Sequence, residues 1–591
     1  MFQKRFSFKS IFALFALTLL LLSATSPAFG YDYGPWNMDG YFKSQFGVFT
    51  EGKPFNDADN GYTAYNRGQG NIYVARPGSN DNMATARQQM RWNVNGQVSD
   101  SIAVRAEILG AWEPDYPGEN NTQEGGYKHI NANFYNSFDW REVTVEYKPT
   151  YSHAIKFGRQ IINWGEALSG RVADQCNPVD SRYLLGFTNL EETYMPLWMF
   201  RGTHDFFDWN TNIEWIAAPI WQADDYEHSR SMTSSGQRYG DGTVGTPWYR
   251  FAANPEARVN RLGGAGAVLS YSTLNQTKVY GAPFSTMYHG SDLLGIPGPV
   301  RPLTRAEAVN IGLPTTAYPG VNSVLLATEI PTTDASAIAS NAPDFTDHNF
   351  KNTRWGIKTK HMLWGADLGF SFFQGPADSG NYHYRYKTSP TPYLVFERVV
   401  PRYNTFGLFG NYQFPWAVMI FEGAYKPGRE FHKDLFGIRT HAGRLDNIEK
   451  VDIIHTMFGV TREQNIDFLN KYNVFTIRGQ WQAQYYMENM DGLAEVTTYM
   501  NEAPRMDNEF MVSISTAYSY RKYNPGVTFV MNPRGQLYSS AAFSWVPGGF
   551  NDRLNVSVGY TNIWGANEYS TRTVFAAKND LAVLTVQYNF Y

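Results

Sequence analysis

A dense run of charged side chains lies between residues 158 and 184, where the alternation of a strand breaks down. Ile155 and Phe157 fall on one face, but Ile161 and Ile162 are adjacent. Continued alternation would place Arg159 beside Phe157 on an apolar face, so we expect the strand to bend or end here. The six charged candidates in this run are Arg159, Glu166, Arg171, Asp174, Asp180 and Arg182.

Charges of both signs on one short segment can line a constriction and set a field across it. The same charges could instead tie an inward loop to a wall, because ion networks also serve stability. We interpret residues 158–184 as an inward constriction or plug segment with these six side chains at the lumen, and both roles remain open.

Catalytic and cofactor chemistry finds little support in the sequence. No GxSxG, HExxH, Walker A or GxGxxG pattern stands in a usable context. His455 near Asp452 is the best catalytic candidate, but it has no identifiable nucleophile beside it. The single cysteine, Cys176, excludes an intramolecular disulfide, a CxxC zinc site and a CxxCH haem attachment. We therefore expect no enzyme activity, no cofactor and no metal.

The elements that would hold such a segment are strands with a period of two. In residues 475–487, Trp481 and Ala483 lie on the apolar face, which we expect to meet lipid. The opposite face is polar, and its side chains are expected to face a lumen. They are Arg478, Gln480, Gln482 and Gln484. Similar alternation runs through residues 90–108, 510–520 and 554–560.

Composition agrees with strands that have one face in lipid. Aromatic residues make up 16% and charged residues only 18% of the 591 residues, yet the mean hydropathy is −0.41. That value is too polar for a bundle of membrane helices. A net charge of −4 argues against a nucleic-acid partner, which calls for a strongly basic surface. A soluble β-sandwich or propeller is the alternative, since it also alternates.

The sequence therefore predicts an all-β fold, a transmembrane antiparallel β-barrel. We expect about 16 strands, within a range of roughly 14 to 18, because single-chain bacterial barrels have even numbers. The least certain strands lie between residues 197 and 285. Residues 222–261 and 283–350 are expected to be long extracellular loops.

Both ends of the chain carry signals of export to a membrane. Residues 1–30 have a basic start, an apolar stretch over residues 11–22 and a small-residue cleavage site, as in a secretory signal peptide. At the other end, residues 584–591 alternate. They resemble the terminal strand by which barrel assembly machinery recognises bacterial outer-membrane proteins. The candidate assembly signal consists of Tyr588, Phe590 and Tyr591. The expected location is the outer membrane of a Gram-negative bacterium, in contact with its lipid.

Three motifs in the charged run resemble a known family. Residues 158–160 (GRQ), 164–166 (WGE) and 177–180 (NPVD) are similar to the G-R-Q…W-G-E…N-P-x-D signature of a large family of proteobacterial outer-membrane proteins, classified as a domain of unknown function. Residues 196–201 and 459–480 also resemble that family. The resemblance implies an outer-membrane barrel, often associated with moving hydrophobic compounds alongside resistance-nodulation-division transporters.

We expect a passive outer-membrane channel or transporter that passes small solutes through a charged constriction. One alternative is a transporter of hydrophobic compounds that works with an efflux system, and so with a periplasmic or inner-membrane partner. Another is a barrel that sheathes an electron carrier or other partner.

Overall fold

The structure is a computed structural model. It describes residues 31–50, 83–112, 137–167, 170–178, 190–219, 353–377, 381–387, 393–399, 401–432, 448–489, 505–533, 536–548, 552–565 and 580–590. Several predictions lie outside these ranges. They are the signal peptide 1–30, the loops 222–261 and 283–350, and the side chains Asp180, Arg182 and Tyr591.

Strands make up nearly all of the described chain. In order they are β1 (Tyr31–Tyr33), β2 (Trp36–Phe49), β3 (Met83–Ser99), β4 (Ile102–Trp112), β5 (Ser137–Thr150), β6 (His153–Gln160), β7 (Leu197–Phe206), β8 (Thr211–Ala218), β9 (Arg354–Leu363), β10 (Ala366–Pro376), β11 (Asn381–Lys387), β12 (Tyr393–Val399), β13 (Arg402–Gln413), β14 (Val418–His432), β15 (Ile448–Ile466), β16 (Asn470–Tyr486), β17 (Met506–Ser515), β18 (Tyr523–Asn532), β19 (Gln536–Trp545), β20 (Leu554–Gly565) and β21 (Leu581–Phe590). A one-turn helix, α1 (Leu190–Thr193), precedes β7, and a 3-10 turn (Phe207–Trp209) joins β7 to β8.

Eighteen of these strands form a closed antiparallel ring. Each pairs with its neighbour along the chain, and β2 pairs with both β3 and β21, which closes the sheet. The short β1 pairs with the start of β2, and β11 and β12 form a separate hairpin. The predicted antiparallel barrel is confirmed. Within the described residues, no helix is long and apolar enough to cross a membrane.

The expected count of 16 strands is wrong, because the ring has 18. The least certain strands were expected after residue 197, where β7 and β8 lie. The inward residues Leu197 and Met199 of β7 are apolar and almost fully buried, while the outward Trp198 and Phe200 are apolar and exposed. With both faces apolar, these strands lack the alternation by which strands are recognised.

The two faces of the ring differ as a transmembrane barrel requires. Register aligns Trp481 with the exposed Phe458 and Phe510 on the outward face, and Gln480 and Gln482 on the opposite one. Such an outward apolar surface is what lipid solvates. The alternation predicted for β16 therefore holds. Ala483 shares the outward face but is only 3% exposed.

The seam between the first and last ring strands depends on one small residue. Gly40 of β2 lies opposite Phe590 of β21, and the Phe590 ring covers it. A Cβ at Gly40 would lie 2.6 Å from Cζ of Phe590 and 2.1 Å from the carbonyl oxygen of Arg91. Phe590 is therefore buried against the strand that it must pair with, and it also contacts the ring of Phe42.

The opposite exposure of adjacent side chains can be tested in β20. Val558 is 52% exposed beside Phe543, whereas Ser557 faces inward opposite Ser544 and Thr585. We expect Val558→Arg to destabilise the barrel by about 2–4 kcal/mol if it lies near the midplane, because the charge would enter hydrocarbon. Denaturant unfolding from lipid vesicles would measure this loss.

The matched variant Ser557→Arg should unfold at nearly the parent's denaturant concentration, since its side chain enters the lumen. Equal losses in the two variants would contradict the assignment of faces.

Candidate functional site

The chain leaves the sheet at the end of β6, and the residues described after it lie inside the barrel. We call residues 161–167 and 170–178 the inner segment. Asn177, which is fully buried, joins its two ends: its Oδ1 accepts the N–H of Ile162 (2.8 Å), and its Nδ2 donates to the carbonyls of Met195 (2.8 Å) and Gln160 (3.2 Å). This amide supplies partners to backbone groups that have left the ladder.

Gly158 lies two residues before the end of β6, where the chain passes unusually close to β5. It has a φ of 141°, and a Cβ there would lie 2.0 Å from the carbonyl oxygen of Val143 on β5. Only glycine tolerates that approach and that dihedral angle. The first glycine of the GRQ motif is therefore explained by backbone geometry.

Glu422 of β14 holds the middle of the inner segment to the wall. Its carboxylate accepts three backbone N–H bonds, from Glu166 (2.7 Å), Ala167 (3.0 Å) and Ala173 (2.6 Å). Hydrogen bonds to a charged acceptor are stronger than neutral ones. Since Glu422 is only 2% exposed, its charge depends on these donors.

The WGE motif makes two more wall contacts. The indole N–H of Trp164 donates to Glu214 of β8 (2.8 Å), and the same carboxylate accepts two bonds from Arg201 of β7 (2.9 and 3.0 Å). Lys360 of β9 donates to Glu166 at 2.8 Å. Two of the three motif residues thus bind carboxylates or cations of the barrel wall.

An apolar side of the inner segment packs against the wall. Its largest cluster has Trp164 at the centre and includes Ile162, Cys176, Leu197, Met199, Ile216, Ala218 and Phe373. A second cluster joins Val172 and Ala173 to Ala424 and Met457. Burial raises the pKa of the Cys176 thiol well above its usual value, so the thiol stays protonated at neutral pH.

The structure gives different surroundings to the four described members of the six charges predicted to line a constriction. Glu166 faces Lys360 across to the wall. Arg171 and Asp174 turn toward each other: Arg171 donates to the carbonyl of Asn177 (2.6 Å), and Oδ1 of Asp174 accepts the N–H of Cys176 (3.1 Å). Asp180 and Arg182 lie outside the described residues.

Arg159 does not belong to this group, and the expectation that it lines the lumen is wrong. The strand β6 continues through it, with Arg159 opposite the exposed Trp198 and on the face of Phe157. Its guanidinium makes a bidentate pair with Asp139 (2.6 and 2.7 Å) and donates to the carbonyl of Trp140. Because these partners compensate the charge of Arg159, the side chain is tolerated at the end of the outward face of β6. The strand therefore continues through Arg159 and does not bend before it.

A second group of charges inside the barrel was missed from the sequence. The almost fully buried Glu107 of β4 pairs with Arg91 (2.8 Å), Arg105 (3.0 Å) and Arg141 (3.3 Å). Arg105 also pairs with Glu142 of β5 (3.0 Å). Arg91, Arg105, Glu107 and Glu142 stand on inward positions of their strands, which was the signal available in the alternation, whereas Arg141 is the extra residue at a register shift between β4 and β5 and gave no such signal.

Helix α1 is fixed to the same wall. Glu192 accepts bonds from Lys43 (2.7 and 2.8 Å) and from the hydroxyl of Tyr41 (3.2 Å), and its carbonyl accepts one from Arg141 (3.0 Å). The chain is therefore anchored on both sides of the undescribed residues 179–189.

The polar side chains predicted for β16 all stand on its inward face. Gln482 donates to Glu509 of β17 (2.5 Å) and lies against Gly170 of the inner segment. Gln484 is opposite His455, Gln480 is opposite Gly459, and Arg478 is exposed inside the ring. Gln482 thus contacts the inner segment at Gly170.

The candidate catalytic pair does not form. His455 faces inward, where Nδ1 lies 3.2 Å from Nζ of Lys426. Asp452 lies on the other face, and it accepts bonds from the hydroxyl of Tyr425 and the N–H of Gly428. Among the described residues no group of three or more His, Cys, Asp or Glu side chains could hold a metal ion.

These features define a class of protein, a transmembrane-type β-barrel with an inner segment fastened to its wall. The chain belongs to the family "Protein of unknown function (DUF1302)", whose family model matches residues 37–590. This confirms the resemblance drawn from the sequence. No curated protein matches the chain.

Solved structures of similar architecture include an outer membrane channel. Acinetobacter baumannii OccAB3 has 6% identity over 94% of this chain and 100% of its own, with a TM-score of 0.41. Pseudomonas aeruginosa OccK9 has 7% identity over 94% and 98%, with a TM-score of 0.40. The outer membrane channel DcaP of Acinetobacter baumannii has 9% identity over 95% and 99%, with a TM-score of 0.36. Likeness at this level does not indicate a solute for this chain.

The buried Cys176 reports whether the inner segment is attached. A water-soluble maleimide should not react with the folded protein, because the thiol is buried and protonated. Glu422→Ala removes the acceptor of three N–H groups, so we expect the segment to open and labelling to become at least about tenfold faster, the effect of roughly 1.4 kcal/mol.

Glu463→Gln is the matched control, since it removes an inward carboxylate of β15 near the turn to β16. Labelling of the control should stay as slow as in the parent. If Cys176 reacts equally fast in the parent and in Glu422→Ala, the proposed attachment is wrong.

Proposed function

We propose that this protein is an outer-membrane channel through which small solutes cross a barrel narrowed by a charged inner segment. The observation that carries the proposal is the attachment of the inner segment to Glu422, Glu214 and Lys360 on the inward face of the ring. A ring of this size is wide enough for water: barrels of about 16 to 18 strands leave an aqueous passage unless something fills it.

Location in the outer membrane follows the same reasoning. A closed ring leaves no unpaired strand edge, so it can stand in hydrocarbon. Its outward face exposes large apolar side chains, among them Trp198, Phe458 and Val558. Cleavage of residues 1–30 as a signal peptide, and recognition of β21 by barrel assembly machinery, are parts of this proposal.

The inner segment is fixed along one wall of the proposed passage. Its described polar contacts run to β5, β8, β9 and β14, and its apolar side packs on the wall between them. A segment that buries its apolar side presents its remaining polar groups to the lumen. That arrangement favours passage of water-soluble molecules over the alternative of a hydrophobic cargo.

The attachment of the inner segment to Glu422 predicts how the channel responds when these hydrogen bonds are removed. In planar bilayers the purified protein should give stable conductance steps. Glu422→Ala should raise the unit conductance or its fluctuations, because the released inner segment would no longer keep the constriction at one fixed width. Single-channel recordings of both proteins would measure this change.

Glu463→Gln again controls for the loss of one inward charge and should keep the parent's step size. Complete silence of the assembled parent and of Glu422→Ala would contradict a channel. It would favour a barrel that sheathes a partner or a transporter that works only with an efflux system.

A further inference from the structure

We infer that the lumen selects small organic anions that have one charged end. The inference rests on the proposed channel function, and it adds the class of solute. Its basis is an asymmetry in the ion pairs of the inward face: the acidic partner is buried beneath the basic one.

Most of the described ion pairs on the inward face show this asymmetry, and the exception is Lys43 (5% exposed) with Glu192 of α1 (12% exposed). Arg91 is 27% and Arg105 is 38% exposed over Glu107, which is 1% exposed. Arg201 is 34% exposed over Glu214, at 6%. Lys360 is 35% exposed and its partner Glu166 is 23% exposed. In the pairs that show this asymmetry, the cationic head is the group that water, and therefore a solute, reaches first.

The burial of the carboxylates has a structural cause. Glu214 accepts the indole N–H of Trp164, and Glu107 sits among three arginines. Short acidic side chains remain close to the sheet, whereas the longer arginine and lysine side chains extend past them toward water. The wall thus carries layered charge, negative at its base and positive at its surface.

An ion pair whose cation is more exposed than its carboxylate still attracts a nearby anion. Coulomb energy falls as the inverse of distance, so an anion about 4 Å from the cation and about 7 Å from the carboxylate keeps roughly two fifths of the cation's attraction. Several such pairs act together along the passage. Formal net charge therefore understates the positive potential that a permeating ion meets.

The far wall has a different character. Strands β18, β19, β20 and β21 contain no Asp, Glu, Lys or Arg. Their inward residues include hydroxyl side chains that lie opposite one another, Thr528 with Ser540 and Ser557 with Thr585. In the ring order these four strands lie opposite β7–β10, which carry Arg201 and Lys360.

A molecule in this passage meets cations on one side and small uncharged groups on the other. A solute with one anionic group and an uncharged body is complementary to both walls. Its charge can approach the cations of one wall, and on strands β18–β21 no charged side chain has to lose water when the uncharged body passes. Carboxylates of small organic acids fit this description, and benzoate serves as the probe.

The test exploits a substitution that leaves formal net charge unchanged. The double variant Arg201→Gln with Glu214→Gln removes one exposed cation and the buried acid below it. We expect the parent to prefer chloride over potassium by about threefold or more in reversal potentials under a salt gradient. The double variant should lose a clear part of that preference, although its net charge equals the parent's.

The pair of Arg159 and Asp139 at the end of β6 supplies the matched control. Arg159→Gln with Asp139→Asn also neutralises one Arg–carboxylate pair, but the Arg159 side chain lies on the outward face. Its reversal potential should equal the parent's. Gel migration with and without heating would show that both double variants assemble.

Benzoate then tests the organic part of the inference. With potassium benzoate on one side and potassium chloride on the other, benzoate should permeate within about tenfold of chloride in the parent. Undetectable benzoate current overturns the organic-anion assignment. A parent that conducts but prefers potassium overturns the inference and leaves the channel standing, whereas a silent parent contradicts the channel itself.

Discussion

The carboxylate of Glu422 is the interaction on which the interior of this barrel depends. A chain that leaves the ladder carries backbone N–H groups into a space where no strand pairs with them, and each unpaired group is costly once buried. One acidic side chain on β14 accepts three of these N–H groups, and Asn177 satisfies the two ends. The inner segment can therefore be non-repetitive in structure and still be fixed.

Under the proposed channel function, the carboxylates that fix the inner segment also shape the charge of the lumen. Glu214 binds Trp164 of the inner segment and Arg201 of the wall with one group. Because the Glu214 carboxylate is buried and occupied by these bonds, the Arg201 guanidinium is the more exposed member of the pair. Attachment and electrostatic character are thus two consequences of one hydrogen-bonding arrangement, which explains why charges of both signs are so frequent in this part of the sequence.

Much of the fold could be predicted because lipid and water impose opposite demands on neighbouring residues. The polar face of β16 and the apolar face with Trp481 follow from a period of two. The strand count could not be predicted, because β7 buries Leu197 and Met199 under the inner segment and so loses its polar face. Glu422 was missed because its partner residues lie more than two hundred positions away, a distance that no local pattern spans.

The charged run shows how one sequence pattern divides into separate structural roles. Arg159 ends the outward face of β6 with Asp139, Arg171 and Asp174 fold onto the inner segment itself, and Glu166 reaches Lys360. The high density of charged residues indicated where the chain departs from ordinary strand structure. It did not indicate the partner of each charge, which is a nearby group of opposite charge or a backbone group. In this barrel that group is the backbone for Arg171 and Asp174 and a side chain of the wall for Glu166.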